Sequence, residues 1–348
     1  MSIPFEPVNE GKPGSPAADD DAFTRLALFG ATGQIGAAIL CALLEPSFGG
    51  YEPHVKVFLR DETFSDKAES VRKHPRVELV KADFDNVQDM ADKLKGTEAV
   101  VSALNGPGIP AQDRILDAAA QAGVKRYLPS EYGSEHPWRK PGETWPRFHP
   151  YFDVKAQHKE YMWLHPAMVS GQMSYTIVGV GDLYDQPTET YWTAWAREDL
   201  PDEYVFPIVG DPHSKYEVTR IADMAQYIAA LLARPSTSKD KILNFVSDVV
   251  SQQEIADMLA STSGRPVKPD YVSIDEAHGY IDRPETIPDR AKETRFAPEF
   301  WYIVRLQQGT NKFRRHPSLI QNSLYPYIKK TPVSEWLAET VGARAIQA

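Results

Sequence analysis

A serine, a tyrosine and a lysine in the middle of the chain have the types and spacing that proton transfer to a carbonyl group requires. Tyr151 and Lys155 are four residues apart in YFDVK, so on a helix they lie on one face, one turn from each other. A free phenol has a pKa near about 10, and a neighbouring ammonium favours the phenolate and brings the phenol toward the working range of an acid–base catalyst. Ser130, in RYLPSEYG, would hold the carbonyl oxygen of the substrate. Alone, the spacing Y-x-x-x-K more often marks a packed tyrosine and a solvated lysine, so its meaning depends on the surrounding elements.

The strongest surrounding signal is a glycine-rich junction near the start of the chain. LALFGATGQIGAAIL places Gly30, Gly33 and Gly36 between an apolar strand and a helix. A pyrophosphate group can approach the backbone N–H groups at a helix N-terminus only where side chains are absent. Gly30 would allow the tight turn, Gly33 the close approach and Gly36 the packing of helix on strand. The cofactor contacts predicted for this turn are Gly30, Thr32, Gly33, Gln34, Ile35 and Gly36.

The second predicted strand, in VKVFLRDE, ends on a basic residue. An acidic residue near this position accepts the ribose 2′-OH of NAD(H), whereas an arginine accommodates the 2′-phosphate of NADP(H). Arg60 lies there and Lys67 follows shortly after, so the sequence favours NADP(H). Two alternatives stay open, since Asp61 could turn inward to accept a hydroxyl and Arg60 could be a solvated residue at the strand end.

Two alternating periodicities would position these residues. Apolar runs of strand length alternate with segments of helical spacing, which is the pattern of βαβ units and a parallel sheet. The predicted strands are residues 26–29, 55–59, 77–80, 99–103, 126–128 and 175–178, and the predicted helices are residues 35–44, 66–73, 87–94, 111–122 and 152–164. The predicted fold class is α/β, a Rossmann-type doubly wound parallel sheet with a smaller C-terminal substrate-binding region.

The alternation loosens after Val180, which suggests a division of the chain. Residues 1–22 are rich in Pro, Gly and Asp and are predicted to be a disordered tail. Residues 23–180 would form the NAD(P)-binding domain, and residues 181–348 a smaller substrate-binding or capping region, with the chain crossing back to the sheet. Within that region the pattern predicts strands over 204–209 and 242–246 and helices over 221–233 and 252–261.

Composition argues against several classes of protein. The chain has 348 residues, 42% of them apolar, and its net charge of −10 argues against nucleic acids and anionic membrane surfaces as partners. The single cysteine, Cys41, excludes a disulfide framework, and the nine histidines show no metal-ligand spacing. Neither a secretory nor a mitochondrial signal is visible in the first twenty residues, and no apolar stretch approaches the roughly 20 residues that a membrane helix needs. We therefore expect a cytoplasmic protein, monomeric or homodimeric, without a metal or membrane partner.

Several motifs together resemble the isoflavone reductase-like, or NmrA-like, branch of atypical short-chain dehydrogenases. They are GATGQIG, VKVFLRDE, DRILDAAAQAGVKRYLPSEYG and YFDVKAQHKEYM, and the similarity covers about residues 25–261. The resemblance implies an NADPH-binding Rossmann domain and a small aromatic substrate. By matching motif, the three glycines would face the pyrophosphate, Arg60 and Lys67 the 2′-phosphate, and Asp83 and Phe84 the adenine, while Lys155 would be the catalytic lysine and could also hydrogen-bond the nicotinamide ribose.

One departure from the family pattern leaves the proton donor open. In the plant reductases of the family the position of Tyr151 is typically not tyrosine, and the lysine acts as the general acid–base. This chain keeps Lys155 and adds Tyr151, so either could donate the proton.

Aromatic and polar residues near the proposed site are candidates for contact with the substrate. The stretch HPWRKPGETWPRFHP, which contains Trp138 and His149, would form a lid or pocket wall, or only a loop anchored by aromatics. Glu131 follows Ser130 directly. Trp192 belongs to an aromatic stripe that could line a flat substrate, although core packing explains such a stripe equally well.

These patterns favour an NADPH-dependent reductase of a small aromatic or polyketide-like metabolite, acting on a C=O or C=C bond. The proton would pass through Lys155, with Tyr151 and Ser130 assisting. Two other functions remain open. One is an NADP(H)-sensing regulator without turnover. The other is a dehydratase, isomerase or epimerase on the same fold, since fold does not determine reaction.

Overall fold

The computed structural model describes residues 18–133, 150–187 and 189–347, with only the backbone described at 150, 151 and 347. The chain divides into two compact units. The first comprises Met1–Gly179, Ala222–Asn244 and Gln321–Lys329, and the second comprises Val180–Ile221, Phe245–Ile320 and Lys330–Ala348. The chain therefore leaves the first unit after Gly179 and returns to it twice.

Strands and helices are numbered in chain order. The strands are β1 (Arg25–Phe29), β2 (His54–Arg60), β3 (Val77–Ala82), β4 (Ala99–Ser102), β5 (Arg126–Leu128), β6 (Ser174–Gly179), β7 (Asp182–Leu183), β8 (Tyr204–Val209), β9 (Lys215–Thr219), β10 (Lys241–Asn244), β11 (Asp248–Ser251) and β12 (Val267–Val272). The helices are α1 (Gln34–Leu44), α2 (Phe64–Lys67), α3 (Val87–Leu94), α4 (Ala111–Gln121), α5 (Pro150–Leu164), α6 (Pro166–Val169), α7 (Ile221–Ala233), α8 (Gln252–Ser263), α9 (Ile274–Asp282), α10 (Phe300–Gly309), α11 (Val333–Leu337) and α12 (Ala343–Gln347).

The first unit is built on a seven-stranded sheet in the order β10-β6-β5-β4-β1-β2-β3, and every described pairing in it is parallel. The order reverses between β1 and β4, where Phe29 at the end of β1 is level with Ser102 at the end of β4. Open α/β sheets bind ligands at this reversal, outside the carboxyl ends of the strands. The fold thus creates a ligand site beside the residue that follows Phe29.

The core of this sheet is apolar because its central strands are covered on both faces. All four residues of β4 are buried, as are the last four of β1. Phe29 stacks on Phe58 of β2 with ring centroids 4.5 Å apart. The carboxyl ends of the strands are therefore held by packed side chains rather than by loops, which fixes the geometry of the site above them.

A buried arginine joins the segment Ala222–Asn244 of the first unit to the sheet of that unit. Arg126 of β5 donates to the hydroxyl oxygens of Ser174, Thr176 and Ser238 and to the carbonyl oxygen of Pro235, at distances of 2.7–3.1 Å. These acceptors are neutral, and burial lowers the pKa of this guanidinium to about 10. Two of the acceptors, Pro235 and Ser238, lie just before β10. The network therefore links the start of β5 to the segment that leads into β10, the edge strand of this sheet.

The second unit contains a small sheet in the order β11-β9-β7 and a separate parallel pair formed by β8 and β12. Its buried residues include Trp192, which stacks on Trp301 with ring centroids 6.0 Å apart. Arg315 and Glu217 form an ion pair that is also buried in this unit. No helix in the described part of the chain combines the length and apolar character that a membrane span requires.

Two expectations about local structure differ from what the chain does. The helix predicted over residues 66–73 is wrong: only α2 is helical there, flanked by short 3-10 turns, and no residue from 61 to 70 is buried. A helix without a buried face gains little from tertiary packing. Residues 18–22, assigned to the predicted tail, are described, and the N–H of Asp19 donates to the carbonyl oxygen of Ala233 at 3.0 Å.

Candidate active site

The turn between β1 and α1 requires glycine at two positions because backbone atoms approach closely. Gly30 has a φ of +88°, and a Cβ there would lie 2.5 Å from the carbonyl oxygen of Ala103, which follows β4. A Cβ on Gly36 would lie 2.1 Å from the carbonyl oxygen of Gly30. Gly36 thus allows the first turn of α1 to pack directly on the bend after β1.

Gly33 differs from the other two glycines because a Cβ at this position would fit without a clash. Its φ of −84° suits any residue, and the nearest atom to a Cβ there, apart from its chain neighbours, is 3.4 Å away. Gly33 is the N-cap of α1, no side chain caps it, and the first turn holds no acidic residue. Thr32 and Gly33 are exposed, and Gln34 and Ile35 are half-buried. A helix N-terminus without a capping side chain or an acidic residue suits an anion, so this turn fits a dinucleotide pyrophosphate.

Arg60 lies at the carboxyl end of β2 with its guanidinium carbon 5.8 Å from the centroid of the Phe84 ring. Its Nη2 also lies close to Gly108, where a Cβ would come within 3.1 Å of it. Asp61 points its carboxylate to Lys81 on β3, at 2.5 Å. Since Asp61 is paired in this way and Arg60 is held on an aromatic ring, the strand end fits a 2′-phosphate better than a bare ribose hydroxyl.

The other residues predicted to contact the adenosine end have mixed surroundings. Lys67 and Asp83 are exposed, and Asp83 accepts a hydrogen bond from the N–H of Asp85 at 2.9 Å. Phe84 is buried in the core, edge-on to Phe29 at 5.3 Å. Phe84 therefore supports Arg60 from below, and the adenine contacts of Asp83 and Phe84 stay predictions.

Ser130 is buried, and both of its polar groups are engaged. Its hydroxyl donates to the carbonyl oxygen of Leu104 at 2.7 Å, and its N–H donates to Oε1 of Gln112 on α4 at 2.8 Å. A hydroxyl proton held by a carbonyl is not free for a substrate oxygen. We therefore correct the predicted role: in this geometry Ser130 fixes the segment after β5 rather than donating to the substrate.

Lys155 lies on α5 and its side chain is buried. Burial lowers the pKa of this ammonium, Lys159 one turn later lowers it further, and the carboxylate of Glu131 raises it. A lysine with a lowered pKa can release and regain a proton closer to neutral pH, which a general acid–base requires. Tyr151 lies in the first turn of α5, but its side chain, like Trp138 and His149, lies outside the described parts of the structure.

Glu131 is engaged by the protein itself, although we predicted it as a substrate contact. Its Oε2 lies 3.1 Å from Nζ of Lys159, and both side chains are almost completely buried. The prediction is corrected in this respect: one carboxylate oxygen belongs to an internal ion pair beside Lys155.

Sequence reasoning also missed a buried histidine on α5. His158 places Nδ1 2.6 Å from a carboxylate oxygen of Asp113 on α4 and Nε2 3.2 Å from the hydroxyl of Tyr127 on β5. The spacing of three between Lys155 and His158 was the only available signal. Asp113 is 45 residues away in the chain, so no local pattern shows the pair.

The side chain of Trp192 is not exposed to a ligand. Its side chain is completely buried in the core of the second unit, and Nε1 donates to the carbonyl oxygen of Ala291 at 3.2 Å. The predicted substrate contact is wrong in this structure, and the alternative of core packing applies. In the described residues no group of three or more His, Cys, Asp or Glu side chains could hold a metal ion.

Comparison with known proteins gives this geometry a context. A family model described as the NmrA-like family matches residues 23–337. Oxidoreductase swnN of Arthroderma benhamiae is 30% identical over 52% of this chain, and the match spans 58% of the length of that relative. Pinoresinol reductase 1 of Arabidopsis thaliana is 26% identical over 90% of this chain and 96% of its own.

Solved structures show the same fold. A structure described as AtPrR2 with NADP+ and (+)pinoresinol has a TM-score of 0.71 at 22% identity, and the match covers 91% of this chain and 99% of that one. The predicted family and the Rossmann-type fold are confirmed. The relatives are named as an oxidoreductase and a reductase, which agrees with the predicted class of enzyme, and the AtPrR2 structure is described with NADP+.

Proposed function

The chain belongs to the NmrA-like family, and we propose that it is an NADPH-dependent reductase of a small aromatic or polyketide-like metabolite, acting on a C=O or C=C bond. The observation that carries the proposal is Lys155, a buried ammonium with a lowered pKa. It lies in the same unit as a glycine turn that fits a pyrophosphate. A chain that only sensed the cofactor would have no use for a lysine tuned in this way.

The bound cofactor supplies the hydride, and the residues of this chain hold it and move a proton. The backbone N–H groups around Gly33 would hold the pyrophosphate, and Arg60 would neutralise the 2′-phosphate. Nζ of Lys155 would deliver the proton to the oxygen or carbon on which negative charge develops. Ser130 keeps the segment after β5 in position, and Tyr151 remains a candidate to assist the proton transfer.

The class of substrate is supported by relatives. One relative is a pinoresinol reductase, and one solved structure holds (+)-pinoresinol beside NADP+. Another relative from a fungus is named as an oxidoreductase. A panel of aromatic ketones and aromatic enones, incubated with NADPH and followed by the absorbance of the reduced nicotinamide, would test the proposal directly. Tight binding of NADPH without its consumption by any member of the panel would contradict it.

The substitution Lys155→Met tests the role of the proton donor. Loss of a positioned general acid should lower kcat by about 10²–10⁴-fold, while the dissociation constant of NADPH changes little. Lys95→Met is the matched control, because Lys95 is an exposed partner of Asp92 and should leave kcat unchanged. A Lys155→Met enzyme with normal turnover would refute the assignment.

The pH dependence follows from the direction of the pKa shift. Lys155 donates its proton as the ammonium, and its lowered pKa means that the ammonium is lost at a lower pH than for an ordinary lysine. The kcat should therefore decline at a lower pH than an ordinary lysine would cause, and Lys155→Met should abolish that decline. Steady-state rates at saturating NADPH, taken from neutral to alkaline pH, would measure it.

A further inference from the structure

Lys155 belongs to a buried cluster of three charged side chains, which we define as Glu131, Lys155 and Lys159. Glu131 and Lys159 form the ion pair of 3.1 Å described above, with side chains only 2% and 5% exposed. Lys155 and Lys159 are four residues apart on α5 and therefore lie on one face of that helix. Two buried ammonium groups thus interact with one buried carboxylate, Lys159 by direct contact and Lys155 through its electrostatic attraction.

The geometry decides which lysine gives up its proton more easily. A buried cluster with two cations and one anion is relieved when one cation becomes neutral. Lys159 has a carboxylate oxygen of Glu131 at 3.1 Å and is directly paired with it. For Lys155, burial disfavours the charged form most strongly, Glu131 attracts the charge, and Lys159 repels it. Of the two lysines, Lys155 is therefore the one that gives up its proton more easily.

Glu131 is held so that it can act on both lysines. Its chain neighbour Ser130 is fixed by hydrogen bonds to Leu104 and Gln112. The second carboxylate oxygen, Oε1, is buried and accepts no hydrogen bond within the described structure. Buried carboxylate oxygens normally have a hydrogen-bond partner, so this oxygen can accept a further hydrogen bond.

The other titratable groups that the structure describes near the cluster are Tyr132, His158 and Asp153. The hydroxyl of Tyr132 donates to the carbonyl oxygen of Ser102 at 3.0 Å, and burial raises its pKa, so it stays neutral. His158 on α5 is held by Asp113 of α4. Asp153, two residues before Lys155, is a further buried carboxyl group on the same helix.

We propose that Lys159 and Glu131 are positioning residues that keep Lys155 ready to exchange its proton. Lys159 occupies one oxygen of Glu131 and repels the charge on Lys155, and Glu131 offsets the cost of burying that charge, so that Lys155 still carries a proton when the reaction needs one. The inference deepens the proposed function, because it concerns the same proton transfer. It predicts effects of opposite sign for the two partners.

The two substitutions should move the basic limb of the kcat profile in opposite directions. Lys159→Met removes a repelling cation and leaves the Glu131 carboxylate to Lys155, so the pKa of Lys155 should rise by about one unit. Glu131→Gln removes the attracting anion, so that pKa should fall by about one unit. Lys159→Arg keeps the charge and should restore the profile of the unsubstituted protein. A purely structural pair would not give opposite shifts.

A second measurement separates this inference from the proposed function. The rate at which acetic anhydride labels Lys155 in the NADPH-bound protein, followed by peptide mass spectrometry against pH, reports the proton on Lys155 without turnover. Opposite labelling shifts support the inference even if no substrate is reduced. Shifts of one sign, no shift, or an ordinary lysine titration of Lys155 in the unsubstituted protein would overturn it.

A matched control guards against effects of destabilisation. Glu217→Gln breaks the buried ion pair with Arg315 in the second unit. It should lower the thermal midpoint, because it removes the buried carboxylate charge that faces Arg315, and leave the labelling of Lys155 unchanged. If Lys159→Met and Glu131→Gln fail to fold, the labelling of the unsubstituted protein and of Lys159→Arg still decides the matter.

Discussion

The glycine turn and the charged cluster lie in the same unit, but the turn is formed by backbone atoms and the cluster by charged side chains. The turn is made of backbone: Gly30 and Gly36 remove side chains where main-chain atoms approach, and Gly33 leaves the backbone N–H groups of the turn uncovered by a side chain. The cluster is made of side-chain charges that come from two separate segments and are hidden from water. A substitution in the turn changes shape, whereas one in the cluster changes proton affinity. Cofactor binding and proton transfer should therefore fail independently.

The largest expected effects, on stability and on NADPH binding, come from substitutions in the glycine turn. Gly36→Ala places a Cβ 2.1 Å from the carbonyl oxygen of Gly30, so backbone must move. This should cost about 3 kcal/mol or more of the free energy of unfolding. Gly33→Ala meets no atom closer than 3.4 Å and should leave the thermal midpoint nearly unchanged while weakening NADPH at least about tenfold. Thermal unfolding and NADPH titration of both variants measure this, and equal behaviour of the two would refute the distinction.

A smaller effect is expected at the end of β2. Arg60→Gln removes a charge that would face the 2′-phosphate, so NADPH should bind about 10–100-fold more weakly while NADH is unaffected. Arg72→Gln is the control, since Arg72 is a partly exposed arginine paired with Glu45. Titration of both dinucleotides against both variants gives the comparison. A parallel loss of NADH affinity would show that Arg60 acts on something other than the extra phosphate.

The smallest effect is expected at Ser130. Its hydroxyl donates to Leu104, so Ser130→Ala should cost about 1 kcal/mol of stability and change kcat only a few-fold. A donor to the developing oxyanion would instead cost about 10²–10³-fold in kcat. Steady-state kinetics beside a thermal melt distinguish the two, and a loss on that larger scale would restore the original prediction for this serine.

The local sequence predicted those elements that are capped by their own residues or that carry a continuous apolar face. Helix α3 forms over the predicted residues because the side chain of Asn86 accepts the N–H of Asp89 and one face is buried. Helix α7 also has its predicted bounds. The prediction failed at residues 66–73, where Val71 is the one buried residue and too little apolar surface meets the core to hold a helix. Short strands such as β9 and the helices after α8 carry too few residues or too irregular a pattern to be recognised.

The site divides in the same way. The roles of the glycines follow from what backbone geometry allows, so their spacing was informative. The ion pair of Glu131 and Lys159 joins residues 28 positions apart, and only the return of α5 over the end of β5 brings them together. Trp192 shows the opposite error, since an aromatic stripe has the same sequence pattern whether it faces a ligand or a core.

The position of β10 in the first sheet has a consequence for biosynthesis. This edge strand is made only after Val180–Ile221 of the second unit, and the segment Gln321–Lys329 only after Phe245–Ile320 as well. On the ribosome the nascent sheet must therefore wait with β6 unpaired on one side and Arg126 lacking Ser238 and Pro235. Folding of the N-terminal half is thus completed late and as a whole, and a fragment cut at residue 180 would keep an exposed edge ready to pair with other chains.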